Sequence, residues 1–207
     1  MLMPQVRVNN TKSNPFLFIL LTIILVSCGE GYEKVDGQWA WVSHNEGGKV
    51  IRKIETDDAS FEISTNKKYA SDKDNVYWKG LKMIGADPKT FEIISNDGYS
   101  KDVHHVYLEN GIVLFAQPKT FELIAWPYSK DDQRVFNGNL PMEVDDIDGF
   151  QVTKTTEGRS YTTKLFFITN NQDYQWLDTL SIKGIVVNES AEAKTSTEQF
   201  KGFRKVQ

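Results

Sequence analysis

The reactive side chains of this sequence are one thiol, three imidazoles and a large stock of carboxylates. Cys28 is the sole cysteine, so neither an internal disulfide nor a cysteine-based zinc site can form. His44 stands alone, while His104 and His105 are neighbours. Adjacent residues on a strand face opposite ways, so that pair is badly placed to share one metal ion, and solvated turn histidines are expected. Asp72-Lys73-Asp74 has the opening spacing of a calcium loop, but such a loop needs Gly at 77 and Glu at 83, where Tyr77 and Met83 stand. Aspartates that accept hydrogen bonds from nearby backbone N–H groups in a turn explain the string better. Asp145-Asp146 with Asp148 is a second, looser acidic cluster. Paired carboxylates for glycoside hydrolysis are set by distance in space, and with 28 acids the sequence nominates no pair. Phosphate-binding glycine loops, the serine nucleophile elbow and the paired histidines of zinc proteases are missing as strings. No catalytic residue, cofactor or metal is therefore expected. The five tryptophans are Trp39, Trp41, Trp78, Trp126 and Trp176. Trp126 and Trp176 do not recur at repeat-equivalent positions, which makes them the candidate exposed anchors for a partner.

The thiol has a different setting. Residues 1–15 are polar and carry Arg7 and Lys12; Phe16–Val26 is then almost wholly apolar. A membrane-spanning helix wants roughly 20 such residues, so this run has the length of a signal-peptide core. Leu25-Val26-Ser27-Cys28 resembles the lipobox of bacterial lipoproteins, with a branched apolar residue, a small residue before the cut, and the required cysteine after it. The resemblance implies that residues 1–27 are removed and that Cys28 becomes a lipid-modified first residue. Two or three acyl chains anchor stably where one is marginal. Gly29 is not the aspartate that retains some lipoproteins in the inner membrane, so the resemblance places the anchor in the outer membrane, facing the periplasm or the surface. Removing residues 1–27 loses two cations and no acid, which makes the formal charge of −4 more negative. A nucleic-acid footprint needs a basic face, and none is expected.

An internal period organises the rest. Phe61-Glu62-Ile63, Phe91-Glu92-Ile93, Phe121-Glu122-Leu123 and Phe150-Gln151-Val152 recur at steps of 30, 30 and 29 residues. Tyr69-Ala70-Ser71-Asp72, Tyr99-Ser100-Lys101-Asp102 and Tyr128-Ser129-Lys130-Asp131 recur in the same register, each leading to an apolar pair at 76–77, 106–107 or 135–136. Each unit reads as short strands joined by turns, at Lys79-Gly80, Asn110-Gly111 and Asn137-Gly138, with Phe-Glu-Ile as the closing strand. Alternation there puts Phe91 and Ile93 toward a core and Glu92 toward water. Val76-Tyr77-Trp78 has no polar face, so the hairpins must cover one another. Stacked in register, Glu62, Glu92 and Glu122 would repel, which favours offset antiparallel hairpins.

Asp72-Lys73-Asp74-Asn75-Val76-Tyr77-Trp78, with Gly80 and then Gly85-Ala86-Asp87-Pro88-Lys89-Thr90-Phe91-Glu92, resembles the repeat of the DKNYY family of bacterial envelope and lipoprotein sequences. The resemblance supplies architecture and compartment, and no catalytic residues. The expected fold is all-β: stacked antiparallel β-hairpin repeats of about 30 residues with a β-rich C-terminal cap. The expected organisation is a signal peptide (1–27), anchor and linker (28–38), four repeats with the first and last degenerate (39–154), a C-terminal β segment (155–188) with strands over 161–169 and 179–188 and a turn at Asn170-Asn171 between the first of them and the Tyr174–Leu177 stretch, and a polar tail (189–207). The expected role is a lipid-anchored envelope module that binds a protein or glycan or serves structurally. The alternative is an envelope hydrolase acting on polysaccharide or peptidoglycan through an unrecognised acidic site.

Overall fold

A computed structural model of the protein describes residues 29–162 and 185–206. Every regular element among them is a β-strand. The chain begins with an antiparallel meander of β1 (Gly31–Val35), β2 (Gln38–Asn45) and β3 (Gly48–Lys53). Asp36 and Gly37 both take left-handed φ, 53° and 80°, in the two-residue turn whose twist suits a hairpin. The stretch read as anchor and linker therefore already carries a strand, because Glu33 and Lys34 pair with Ala40 and Trp39.

Four sheets follow, each opened by the recurrent phenylalanine string. The first joins β4 (Glu62–Ile63), β5 (Tyr69–Ser71), β6 (Val76–Trp78) and β7 (Leu81–Lys82) in sequence order. The second does the same with β8 (Glu92–Ile93), β9 (Tyr99–Lys101), β10 (Val106–Leu108) and β11 (Gly111–Ile112). The third uses β12 (Glu122–Ala125), β13 (Tyr128–Lys130), β14 (Val135–Asn137) and β15 (Leu140–Met142). The phase of the repeat thus differs from the sequence reading: Glu92 and Ile93 pair forward with Lys101 and Ser100, so Phe-Glu-Ile opens a sheet. With the meander, the described residues form five successive sheets of the repeat series, besides the pair β17–β18, where four units were expected. Glu62, Glu92 and Glu122 lie on separate sheets, opposite Ser71, Lys101 and Lys130, and form no column.

Two turns also sit one residue earlier or later than expected. Leu108 faces Gly111 across Glu109-Asn110, and Asn137 faces Leu140 across Gly138-Asn139. The repeat register decides this, since the carbonyls of Lys68, Gly98 and Pro127 accept from the amides of Lys79, Glu109 and Gly138 at 2.7, 2.8 and 2.9 Å. Those three residues share left-handed φ values of 45°, 57° and 59° whatever their type. Glycine is obligatory at 138, where a Cβ would come within 1.9 Å of the Val186 carbonyl.

The middle strands β6, β10 and β14 are buried throughout, and the cores lie between consecutive sheets. Tyr69, Val76 and Trp78 of one sheet pack with Tyr107 and Phe91 of the next; Tyr99, Val106 and Leu108 pack with Phe121 and Phe136. Tyrosine hydroxyls stitch the same interfaces. Tyr32, Tyr69 and Tyr99 donate to the equivalent carbonyls of Lys68, Gly98 and Pro127 at 3.2, 2.8 and 3.2 Å, and Tyr128 donates to Gly202 at 2.8 Å.

The last sheet corrects the reading of the C-terminus. β16 (Gln151–Lys154) pairs with β19 (Glu192–Lys194), which continues into β20 (Gln199–Lys201) and β21 (Arg204–Lys205). The expected polar tail is three strands of a repeat whose first strand lies before residue 155. Between them, β17 (Ser160–Thr162) and β18 (Ile185–Val187) form a two-stranded sheet, so residues 155–191 are an excursion from one repeat. The expected strands at 161–169 and 179–188 agree where described; the expected turn at Asn170-Asn171, and Trp176, lie outside the described residues.

Phe91 is half-buried against Tyr69 and Tyr107, whereas Glu92 is exposed and meets Lys101 at 3.1 Å. Urea unfolding of residues 29–207 is expected to show Phe91→Ala costing about 3 kcal/mol and Glu92→Ala under about 0.5 kcal/mol. Equal losses would refute this facing of β8.

Candidate functional site

The recurrent aspartates are the most highly coordinated polar groups of the repeat. Asp72, Asp102 and Asp131 are each at most 4% exposed. Asp102 Oδ1 accepts from the amides of His104 and His105, both at 2.7 Å, which folds the turn between β9 and β10. Its Oδ2 reaches back to the linker from the preceding sheet, accepting from the Asp87 amide and the Tyr107 hydroxyl, both at 2.9 Å. Asp72 repeats this with the amides of Asp74 and Asn75 on Oδ1, and Thr56 Oγ1, the Asp57 amide and Tyr77 Oη on Oδ2. Asp131 keeps the backbone part, with Gln133, Arg134 and Gln117 as donors, but Phe136 replaces the tyrosine. In the last sheet two residues divide the role. Thr195 Oγ1 accepts from the amides of Thr197 and Glu198, while Glu198 Oε2 takes the Asp145 amide at 3.1 Å.

Burial, the strongest single influence, pushes the Asp72 and Asp102 carboxyls up, but the converging hydrogen bonds outweigh it and hold both below the usual carboxylate range. Burial, reinforced by Asp72, pushes the Tyr77 hydroxyl up to about 12, so it remains a donor. A salt-bridging hydrogen bond from Lys205 at 2.6 Å lowers Glu198 despite burial. These carboxylates are ionised acceptors for turn and linker amides. A catalytic general acid needs the opposite, a carboxyl that keeps its proton near neutral pH.

The acidic cluster lines an open cleft of about 620 Å³, with Lys119, Lys130, Asp132, Asp145, Asp146 and Asp148 among its walls. Its acids engage the protein itself: Asp146 Oδ1 accepts from Gly149 N at 2.9 Å, and Asp145 meets Lys205 at 3.7 Å. Among the described residues no group of three or more His, Cys, Asp or Glu side chains is placed to hold a metal ion. His104 is exposed, and His105 Nδ1 lies 3.4 Å from the Tyr107 hydroxyl.

Trp126 is half-buried against Tyr99, and the Arg159 guanidinium lies 3.9 Å from the centre of its ring. Glu109 holds Arg159 at 3.3 Å, and Arg159 Nη2 donates to the Asp97 carbonyl at 2.9 Å. A partner meeting Trp126 there would meet it together with Arg159 and Tyr161, whose hydroxyl donates to Glu109 at 3.3 Å. Cys28 precedes the described residues.

Sequence reasoning missed a buried asparagine network. Asn139 Oδ1 accepts from Val186 N at 2.7 Å, and Asn137 exchanges hydrogen bonds with the backbone of Asn188 at 2.8 and 2.9 Å. The Asn188 side chain ties both ends of the excursion together, donating to the carbonyls of Thr156 and Gly158 and accepting from the amides of Ser190 and Ala191. Nothing in the repeat signals these contacts, because asparagine in a turn is ordinary.

Asp102→Asn would turn an amide NH₂ toward donors or rotate it into the turn amides, leaving buried donors unpaired. We expect a loss of about 2–3 kcal/mol at pH 7. Tyr107→Phe, the state Phe136 already represents, should cost about 1 kcal/mol. A carboxyl depressed on folding stabilises fully above its unfolded pKa of about 4 and loses that contribution as pH falls through the lower folded value. Denaturant titrations should therefore show a shallower acid-side decline below about pH 4 in Asp102→Asn than in the parent. Parallel declines would show that Asp102 does not couple protonation to folding.

The profile of the DKNYY family matches residues 5–111, a span that takes in the Asp72–Tyr77 and Asp102–Tyr107 nodes. No curated protein and no solved structure matches significantly. With just over half of its 207 residues matched, and with the recurrent turn aspartate and its tyrosine locked together in two successive sheets, the chain belongs to the DKNYY family.

Proposed function

We propose that the protein is a lipid-anchored module of the cell envelope, held in the outer membrane through Cys28, whose β-repeat array presents a binding or structural surface. The observation that carries the anchor is the juxtaposition of sequence and fold. Phe16–Val26 and Leu25-Val26-Ser27-Cys28 supply the targeting run and acylation string, and the first strand begins at Gly31. A cut before Cys28 leaves the folded array whole. Within the array, Asp72, Asp102 and Glu198 serve as ionised structural acceptors, which supports recognition over acid–base chemistry. Trp126 with Arg159 is the place where an aromatic and a cation meet a partner, and such residues dominate binding hot spots.

Cys28→Ala is expected to abolish incorporation of labelled fatty acid and to leave an uncut precursor of higher mass. Unchanged processing in the variant would show that an ordinary signal peptidase makes the cut. Affinity capture from detergent-solubilised envelopes, with Trp126→Ala as the comparison, then tests whether a bound protein or glycan depends on that surface.

A further inference from the structure

We infer that the outer edge of β1 is an open strand position that takes an extended acidic segment of a partner protein, added antiparallel as the fourth strand of the first sheet. The repeat itself points there. Tyr32 sits opposite Trp41 as Tyr69 sits opposite Trp78 and Tyr99 opposite Leu108, and its hydroxyl makes the same stitch to the next sheet. β1, β2 and β3 are therefore the second, third and fourth strands of a unit whose first strand is missing among the described residues. The β4–β7, β8–β11 and β12–β15 sheets each have that strand, antiparallel to the tyrosine strand. Glu62 and Glu92 stand seven residues before Tyr69 and Tyr99, and seven residues before Tyr32 is Leu25. The inference rests on the proposed cut before Cys28, which removes Leu25 and leaves the mature chain nothing to fill the place.

The edge has the backbone groups to receive a strand. Val35 and Gln38 flank the two-residue turn, so Val35, Glu33 and Gly31 bond to β2 while Tyr32 and Lys34 aim their N–H and C=O groups outward. In the next two sheets the equivalent carbonyls are taken: Tyr69 accepts from Ser64 N at 3.0 Å and Tyr99 from Ile94 N at 2.9 Å. Among the described residues nothing donates to the Tyr32 carbonyl.

Charge names the occupant. Tyr32-Glu33-Lys34 repeats the spacing of Tyr99-Ser100-Lys101 and Tyr128-Ser129-Lys130. Lys101 and Lys130 stand opposite Glu92 and Glu122 of their first strands, and Lys101 Nζ meets Glu92 at 3.1 Å. Lys34 has no such glutamate across from it among the described residues. Its ammonium lies 5.2 Å from the Trp39 ring centre and pairs with exposed Asp58 at 2.7 Å, a solvated pair weak enough to exchange for a carboxylate on an added strand. A second copy fits the edge worse, since two β1 strands pairing Tyr32 with Lys34 set Glu33 against Glu33.

The test uses the full chain, processed in cells, purified in detergent and checked by mass for the cut and the acyl chains. The probe is a fluorescent synthetic peptide with the sequence of residues 88–96, which carries Phe91-Glu92-Ile93. Saturable binding by anisotropy is the expected result, several-fold weaker for the Glu92→Lys peptide and absent when the Ile94 amide is methylated. The Glu92→Lys peptide should recover affinity on Lys34→Glu protein. Lys34→Pro, which removes an outward N–H and no bond to β2, should abolish binding of the parent peptide. Cut, acylated protein that ignores the parent peptide overturns the open edge and leaves the anchor standing. Binding that survives amide methylation or Lys34→Pro overturns strand addition at β1, and a dimer in sedimentation that Lys34→Pro dissolves assigns the edge to a second copy instead. Protein that retains residues 1–27 by mass overturns the anchor and the vacated position together.

Discussion

The buried aspartate at the turn between the second and third strands of three successive sheets, Asp72, Asp102 and Asp131, is the constraint on which the array depends. One oxygen of Asp102 closes the turn ahead and the other grips the linker behind, so a single side chain fixes a sheet's internal register and its junction with the preceding sheet. Strands of two to four residues offer few ladder bonds each, and isolated hairpins of that size are marginal in water. The carboxylate makes up part of the difference because bonds to a charged acceptor are roughly twice as strong as neutral ones. Its burial would be costly with fewer donors, which is why four converge on it.

The role, more than the residue, persists along the chain. At the β12–β15 sheet the tyrosine becomes Phe136 and the linker amide still binds Asp131. At the last sheet Thr195 closes the turn, and Glu198 grips the linker from three residues further on with Lys205 as counter-charge. Glu192 stands where the ladder tyrosine would be, opposite Lys201 as Tyr99 is opposite Leu108. The stitch that joins each sheet to the next ends there.

Much of this was legible in the residues. Period, strand content, buried middle strands and turn-forming aspartates follow from spacing and alternation, which are local properties. Phase was not, because Phe-Glu-Ile pairs forward across the short link 94–98, and a repeat read from sequence has no marked beginning. The turns were displaced by one residue because Asn-Gly carries a strong local preference that the Gly98–Glu109 and Pro127–Gly138 backbone bonds override. The last repeat was hidden for two reasons: residues 155–191 separate its first strand from the rest, and its turn uses Thr195 and Glu198 in place of aspartate. Trp126 stood out through not repeating, yet its cover, Arg159, comes from 33 residues downstream and has no sequence signature.

That excursion shows how the fold admits new surface. β16 and β19 are neighbours in one sheet, so the chain leaves and re-enters at adjacent points, and closing such a neck costs entropy that grows only slowly with the length enclosed. Asn188 fastens the neck from both sides, and the side chains of Asn137 and Asn139 dock β18 against the β12–β15 sheet by accepting from the amides of Asn188 and Val186. Ile185 and Val187 then join Leu114 and Leu140 in a core that the simple repeat lacks. The excursion also delivers Arg159 onto Trp126, between Glu109 and the Asp97 carbonyl of the preceding sheet. Sheets held at both ends by carboxylates and tyrosines leave little freedom for new surface to arise within the repeat. A segment grafted at one neck adds new surface, Arg159 over Trp126 included, without disturbing any node.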